Sequence, residues 1–539
     1  MGRKTSMRPI GGSRKATKTF LAAATATGSL LLSIPVASAS NGAAIHAASA
    51  PTINYNATIR LGWGGPTETL DPDLNTLLPW ATLELVWDRL TDLNSSATAV
   101  TPSLATKWVS SPNGKSMTFY MRPGVTFHDG SAVDAAAVKA SIERAIDLPG
   151  SQLATYATNI KSIVVDTAYS FTVNTYNGSA ALPWLFASNV GTVINPKCIS
   201  SHISLTMPPT MCSSGPYLVN SGKTQIPGNW WFTRVPGKFW QAGAANAKYF
   251  QITTVFPAQQ GITALLAGDL DITMVTPDAM KVALGLVKSG RFEGSPVGIS
   301  GLFMLEFNTH RPPFNNLVLR QAVQHAINPS GIEELFQACP LSYQPAKPGS
   351  PFFDPTFLPN QYDPAKVKAL LAQAGVPTGF KFTLTTSEFA PDSDAAQVYA
   401  SELSAAGITA TVNVVPFTST AISTGDFEAQ STGGFFVPDP ADAMSYLFDV
   451  GSGFAAPAVG SPVEREVRIL AQDALNGHLT LAEQGKYYQQ IWKLGYQQAW
   501  WTGSCNQEQL WLHGSNVLNA NAPDIGAGQI NPRFLALTE

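Results

Sequence analysis

The chain has 539 residues, 45% of them hydrophobic and only 13% charged, with a formal net charge of −3. That length allows roughly two to four domains and an ample core, and the apolar content excludes a disordered chain. The net acidic balance argues against nucleic acid as a partner, since phosphate binding needs a basic surface.

Arg3, Lys4, Arg8, Arg14, Lys15 and Lys18 open the chain, and no acid precedes Glu68. A small, apolar run from Phe20 to Val36 follows, and then Ala37-Ser38-Ala39. A basic head, a short apolar stretch and a small-residue site describe a secretory signal over residues 1–39, with Ser40 as the first mature residue. A membrane helix is the rival reading; the run is at the bottom of the spanning range and is diluted by Thr, Ser, Gly and Pro. Removing the signal lowers the 33 basic residues by six against 36 acidic ones, so the mature chain is acidic, near −9. It is expected to be secreted or extracytoplasmic. No cysteine near the cleavage site offers a lipid attachment point. Residues 40–56 read as a flexible leader.

Ile59, Leu61 and Trp63 alternate with polar or small residues, as in a strand. Met117, Phe119 and Met121 alternate after the Asn113-Gly114 turn signal. Gly130 closes an extended stretch, and Asp134 is placed to cap a helix carrying Val138, Ile142 and Ala145 on one face. A helix from Ala258 to Ala267 stops at Gly268. Leu270, Ile272 and Met274 alternate, as do Phe303, Leu305 and Phe307. Leu317 to Ile327 reads as a helix ended by Asn328-Pro329. Asp363 to Ala374 is a helix with Pro364 in its first turn and Gly375 beyond its end. A strand at Phe380–Leu384, a helix at Ala395–Ala406 and a strand at Thr409–Val415 follow. Val463–Leu475 and Leu481–Tyr496 form a helical pair. Helices and strands alternate throughout, which is the mark of an α/β chain.

Cys198, Cys212, Cys339 and Cys505 are an even number in an exported chain, which favours disulfides. Cys198 and Cys212 suit a local staple, leaving Cys339 and Cys505 to pair, although four cysteines permit three pairings and the sequence does not choose. A zinc site lacks C-x-x-C spacing and a close His, so no metal is expected.

Catalytic signatures are missing. Gly222-Lys223-Thr224 has Tyr217 where a phosphate loop needs glycine, and Gly114-Lys115-Ser116 has Val109 there. Gly298-Ile299-Ser300-Gly301 lacks the spacing of a nucleophile elbow. The seven histidines are never within five residues of one another. His128-Asp129 reads as part of an Asp-Gly turn. Neither a catalytic residue nor a cofactor is expected. Trp230-Trp231-Phe232, Phe239-Trp240, Phe435-Phe436 and Trp500-Trp501 are adjacent aromatics. Neighbours in a strand point to opposite faces, so some of these rings could line an apolar cleft instead of a core.

Several blocks resemble a known family. Thr69-Leu70-Asp71-Pro72, Val86 to Thr91, Pro102 to Trp108 and the run Thr118 to Gly130 follow its early motifs. Ser214-Gly215-Pro216-Tyr217, Ala264 to Ile272, Phe307-Asn308-Thr309 with Pro313-Phe314, Arg320 to Val323, and Tyr362 to Lys366 follow its later ones. In order and spacing they resemble the extracellular solute-binding proteins of family 5, the dipeptide-, oligopeptide- and nickel-binding subunits of ABC importers.

The resemblance implies a two-lobed periplasmic-binding-protein-like α/β fold of the large type II class, with an extra subdomain and a ligand cleft between the lobes. Lobe 1 would comprise 57–95, 209–302 and a return at 506–539, the extra subdomain 96–208, and lobe 2 303–505. It implies a monomer that captures a small solute, peptide or peptide-like, by hinge closure and hands it to a membrane permease. A non-peptide solute such as an oligosaccharide or metal chelate is the alternative, and a secreted hydrolase a more distant one. Expected contact regions are Trp63 and Gly64 after the first strand, Thr276, Phe417, Phe435-Phe436 and Trp500-Trp501. Arg320 is expected to support packing or a buried ion pair. The peptide binders carry an Asp for the peptide amino terminus in a segment that here reads Gly433 to Pro440. That Asp is missing, with Val437 near its place, so Asp439 or Asp442 would have to substitute.

Overall fold

A computed structural model describes residues 51–65, 67–75, 81–255, 257–337, 339–416, 425–435, 461–521 and 530–539. The expected signal, Phe417, Phe436, Asp439 and Asp442 lie outside the described residues, and Phe435 is described by its backbone alone.

The chain starts in one lobe with β1 (Thr58–Trp63) and α1 (Ala81–Val86). It then builds a subdomain. A ribbon of β2 (Thr91–Leu93) and β3 (Val100–Pro102) leads into β4 (Ala105–Ser110), β5 (Ser116–Met121), α2 (Ala135–Asp147), β6 (Ile160–Thr167) and β7 (Ser170–Thr175). Strands β4-β5-β7-β6 form their own antiparallel sheet. The short helices α3 (Leu182–Leu185) and α4 (Pro196–Ser200) close it. The chain returns to the first lobe with β8 (Tyr217–Val219), β9 (Asn229–Arg234), β10 (Tyr249–Thr254), α5 (Ala258–Ala267), β11 (Ile272–Val275) and α6 (Met280–Lys288).

The long strand β12 (Glu293–Phe307) leaves this lobe. The second lobe holds α7 (Leu317–Ala326), α8 (Pro329–Leu335), β13 (Leu341–Ser342), α9 (Pro364–Gln373), β14 (Lys381–Ser387), α10 (Ala390–Ala405), β15 (Thr409–Val415), β16 (Ala429–Phe435), α11 (Pro462–Ala474) and α12 (Leu481–Gln497). Strand β17 (Ser504–His513) leads back, followed by β18 (Val517–Leu518) and β19 (Ala536–Leu537). The order β15-β14-β16-β12-β17-β11-β1-β10-β9-β8 makes one sheet through both lobes, with β12 and β17 at its centre.

Local chemistry sets the element ends. Asp134 accepts from the Ala137 amide at 2.9 Å and starts α2, and Asp363 does the same for α9 through Lys366. Gly268 takes φ +80°, which suits the residue after α5. Thr480 and Glu483 form a capping box on α12. Asn328-Pro329 ends α7 as expected, yet Asn328 also caps α8 by accepting from Ser330. Leu270 to Met274 alternates in sequence, but β11 itself is buried on both faces, as befits an inner strand flanked by β1 and β17.

Each lobe has its own apolar core. Ile59, Leu61, Trp230 and Phe250 centre that of the first lobe, Phe119, Val138 and Phe171 that of the subdomain, and Phe303, Phe314, Val323 and Leu384 that of the second lobe. A further cluster joins Trp184 and Ala187 of the subdomain to Phe352, Tyr488, Trp492, Trp500 and Trp501 of the second lobe. Disulfides join Cys198 to Cys212 and Cys339 to Cys505.

Candidate functional site

Sheet register places the site. In the first lobe β1 pairs in parallel with β10 and β11, so Trp63, Thr254 and Val275 end these strands on one edge. In the second lobe β14 is parallel to β15 and β16, which end at Ser387, Val415 and Phe435. Strand β16 runs antiparallel to β12 from Ala429↔Phe307 to Phe435↔Gly301, so its carboxyl end points at the middle of β12. Strand β11 runs antiparallel to β17 from Ile272↔His513 to Val275↔Leu510, so its carboxyl end points at the middle of β17. The carboxyl ends of both strand sets therefore converge on the middle of the two crossing strands, where ligands bind in open α/β sheets.

The floor at that point is polar. Asn506, Gln507 and Gln509 are buried and Glu508 half-buried on β17. The register shifts fall on β12, between Pro296 and Gly298 and between Ile299 and Gly301, so β17 keeps its alternation. Gln507, Gln509 and Trp511 share one face. At one end of this row Trp511 stacks on Trp63, with centroids 6.2 Å apart. At the other end Gly433 leaves room that no other residue would: a Cβ there would lie 1.6 Å from Gln507 Nε2 and 2.9 Å from Asp392 Oδ1.

Asp392 stands in the first turn of α10. Its Oδ1 accepts from the Gly433 amide at 2.8 Å and its Oδ2 from the Ser387 hydroxyl at 2.9 Å. Burial pushes this carboxyl up to about 6, and the two hydrogen bonds only partly offset it. Burial also raises Glu508. Asp394 is raised by burial and then by the negative charge of Asp278, which belongs to the other lobe. Asp278 itself accepts from the Thr276 hydroxyl at 2.5 Å.

The structure brings Trp63, Gly64 and Thr276 to the carboxyl edge of the first lobe, and the Phe435 backbone to that of the second. Gly64 lies against Met274, whose Cε would be 2.4 Å from an added Cβ. Trp500 and Trp501 are placed differently. Both are buried in one aromatic cluster, and the Trp501 indole donates to the Tyr343 carbonyl at 3.1 Å. They follow Ala499, at φ +46°, in a turn, so the opposite-face rule for strand neighbours does not govern them. Among the described residues Arg320 meets no carboxylate; buried, it donates to the carbonyls of Phe314, Gln498 and Ala499 at 2.7–3.2 Å. This corrects the ion-pair alternative: burial and carbonyl acceptors hold it. The Asp392–Gln507–Gln509 row was not legible in the sequence, because its members converge only in space.

A second contact joins the subdomain to the second lobe away from that floor. The turn between α11 and α12 seats on the subdomain. The Leu475 carbonyl accepts from the Ala180 amide at 3.1 Å, and His478 Nε2 donates to the Pro112 carbonyl at 2.8 Å. Glycines permit the approach. A Cβ on Gly178 would lie 1.9 Å from the Leu475 oxygen, and one on Gly477 would lie 2.2 Å from Ser110 Oγ and 2.9 Å from the Gly114 oxygen. Trp184 meets Phe352 edge-on at 5.8 Å beside this seat. The subdomain and the second lobe are thus in direct contact.

Residues 99–455 match a family model described as bacterial extracellular solute-binding proteins, family 5 Middle. The glutathione-binding protein GsiB of Salmonella paratyphi A is 26% identical over 331 residues, 60% of this chain and 62% of the relative. The chain thus spans under two thirds of the length of such relatives. The periplasmic binding protein DppA of Helicobacter pylori, solved with the peptide STSA, superposes with a TM-score of 0.76 at 19% identity, covering 90% of this chain and 99% of that one. NikA of Brucella suis, solved with Fe(III)-EDTA, gives 0.76 at 18%, covering 90% and 100%. At these identities the structural likeness shows the fold, a two-lobed periplasmic binding protein.

Proposed function

Because the chain belongs to the bacterial extracellular solute-binding proteins of family 5, we propose that it captures a small solute, a peptide or peptide-like molecule, by closure of its lobes and delivers it to the permease of an ABC importer. One observation carries the reading: strand ends from both lobes converge on a polar floor formed by the two crossing strands. A solute lying there touches both lobes at once. Only such a solute has differential affinity for the closed state, and that difference is what drives closure. Chain crossings at β12 and β17 alone, among the described residues, leave the lobes free to hinge about them.

The protein is read as working outside the cytoplasm, as its family does, and as a monomer that changes no bond in its solute. Among the described residues no helix is long and apolar enough to cross a membrane, so delivery is assigned to contact with a membrane partner. The test is native mass spectrometry of freshly purified protein for a co-purified solute, followed by thermal shifts with a peptide library. A solute at a hundred times its dissociation constant adds about 2.7 kcal/mol. Retention of an unaltered small molecule supports the reading. A compound that emerges chemically changed, with no compaction of the protein in solution scattering, would overturn it.

A further inference from the structure

Resting on that reading, we propose that the Asp392–Gln507–Gln509 row binds a positively charged nitrogen of the solute, an ammonium or guanidinium group. The row is rich in acceptors and poor in cations. Asp392 receives two hydrogen bonds, where an ionised carboxylate has about four acceptor positions. No ion pair engages it among the described residues. Gln509, 6% exposed, shares the strand face of Gln507 and Trp511, and its buried Oε1 has no hydrogen-bond partner among the described residues. A buried acceptor without a donor is costly, and a donor-rich ligand group removes that cost.

The sequence around the row supplies no cation either. From Phe382 to Glu464 there is no Lys or Arg, while Glu388, Asp392, Asp394, Asp426, Asp439 and Asp442 all fall within that span. This stretch provides β14, β15 and β16, and among its described residues Glu388, Asp392, Asp394 and Asp426 are acidic, so an anionic solute would meet repulsion there. A purely structural account of Asp392 explains its hydrogen bonds but not its charge. It accepts from Gly433 where the β14–β16 ladder stops after Thr386↔Ser431. An asparagine Oδ1 would accept that bond equally well, and Ser387 can turn its hydroxyl to receive from the amide. The charge is the unexplained part, and a cationic group of the solute is what it would serve.

The experiment uses the full chain and three probes: a tripeptide-amide library without Lys, Arg or His and with free amino termini, the same library N-acetylated, and an N-acetylated library ending in arginine amide. Retention is read by native mass spectrometry and affinity by calorimetry. Wild type is expected to retain members of the first or third library and none of the second. Asp392→Asn should weaken that binding about tenfold or more and abolish the preference for charge. Gln509→Leu, which leaves the carboxylate in place, should weaken binding less and keep the preference. Circular dichroism and cooperative unfolding confirm that each variant folds. Equal retention of the neutral library by wild type, or unchanged affinity and preference in Asp392→Asn, overturns the proposal while leaving solute capture intact. Retention of no library by wild type counts against the peptide reading itself, and the proposal falls with it.

Discussion

Adding one methyl group at Gly477 should open the molecule without unfolding it. Gly477 sits in the turn between α11 and α12, and its φ is not positive, so alanine strains nothing in the second lobe alone. The new Cβ would lie 2.2 Å from Ser110 Oγ, 2.5 Å from Ser179 Oγ and 2.9 Å from the Gly114 carbonyl oxygen, all in the subdomain. The hydroxyls can rotate away, but the carbonyl belongs to the backbone. Overpacking of this kind costs about 1–3 kcal/mol. Only the closed state bears that cost, so the closing equilibrium should move toward open by about 5- to 150-fold, and solute affinity should fall by up to that factor. Gly178→Ala approaches the same seat from the other side, against the Leu475 oxygen at 1.9 Å, and should act alike. Gly285→Ala on α6, with nothing within 4 Å of its Cβ, is the control. Spin labels at Lys161 and Lys486, both exposed, would report the lobe separation by pulsed dipolar spectroscopy. A longer distance in both seat variants and not in the control is the expected result. Unchanged distances together with unchanged affinity would refute the reasoning.

Arg320→Lys should cost about 2 kcal/mol in denaturant unfolding, because an ammonium lacks the planar fork that reaches the carbonyls of Phe314, Gln498 and Ala499 together. Replacing Cys339 and Cys505 by serine should destabilise more than replacing Cys198 and Cys212. Their separations are 166 and 14 residues, which loop entropy puts at about 5 and about 3 kcal/mol. Asp392 carries a pH signature. Its folded pKa of about 6 lies above the ordinary 3.8, so its contribution to stability is complete below about pH 4 and is lost as pH rises through 6. The loss amounts to about 3 kcal/mol. Solute-free Asp392→Asn should therefore gain stability on wild type between pH 4 and pH 8. Denaturant midpoints at the two values would check this, and a constant difference would count against it. In wild type, capture of a cationic peptide should weaken as pH falls below 6, where the carboxylate takes up its proton.

The parts of the fold legible in the sequence are those where one local rule acts alone. Asp134 and Asp363 mark helix starts, Gly268 and Gly375 mark helix ends, and the alternation at Met117–Met121 marks a half-buried strand. Legibility fails along the crossing strands. Phe303–Phe307 shows the end of β12, but Gly294, Pro296, Gly298 and Gly301 break the pattern over its beginning, where the strand is bulged. Strand β17 is hidden for the opposite reason: Asn506 to Gln509 are polar, so no apolar alternation announces a buried strand. The candidate site suffers the same way. Trp63 and Thr276 were expected from the resemblance and do stand at strand ends, whereas Asp392 and Gln509, 117 residues apart in sequence, are related only through the sheet. Conflict between local pattern and global burial is expected at functional positions, and here it falls on the strands that cross between the lobes.

Two opposed contributions set the closing equilibrium. The glycine seat at Leu475–His478 and the Trp184–Phe352 contact favour closure whatever the solute. Closure also brings Asp278 of one lobe toward Asp394 of the other, like charge toward like charge, which opposes it. Because the two act at separate places, each can be changed without touching the other, and neither alone decides the state of the molecule. A positively charged group on the floor cancels the opposing part only, leaving the seat to hold the lobes together. The response to solute is then steepest when the two nearly balance, since a population changes most per unit of free energy near one half. On this argument Gly477→Ala and Asp394→Asn should displace lobe separation in opposite directions when no solute is present, and the double variant should return it toward the wild-type distance. Failure of the two shifts to offset each other would mean that seat and floor do not act on one equilibrium.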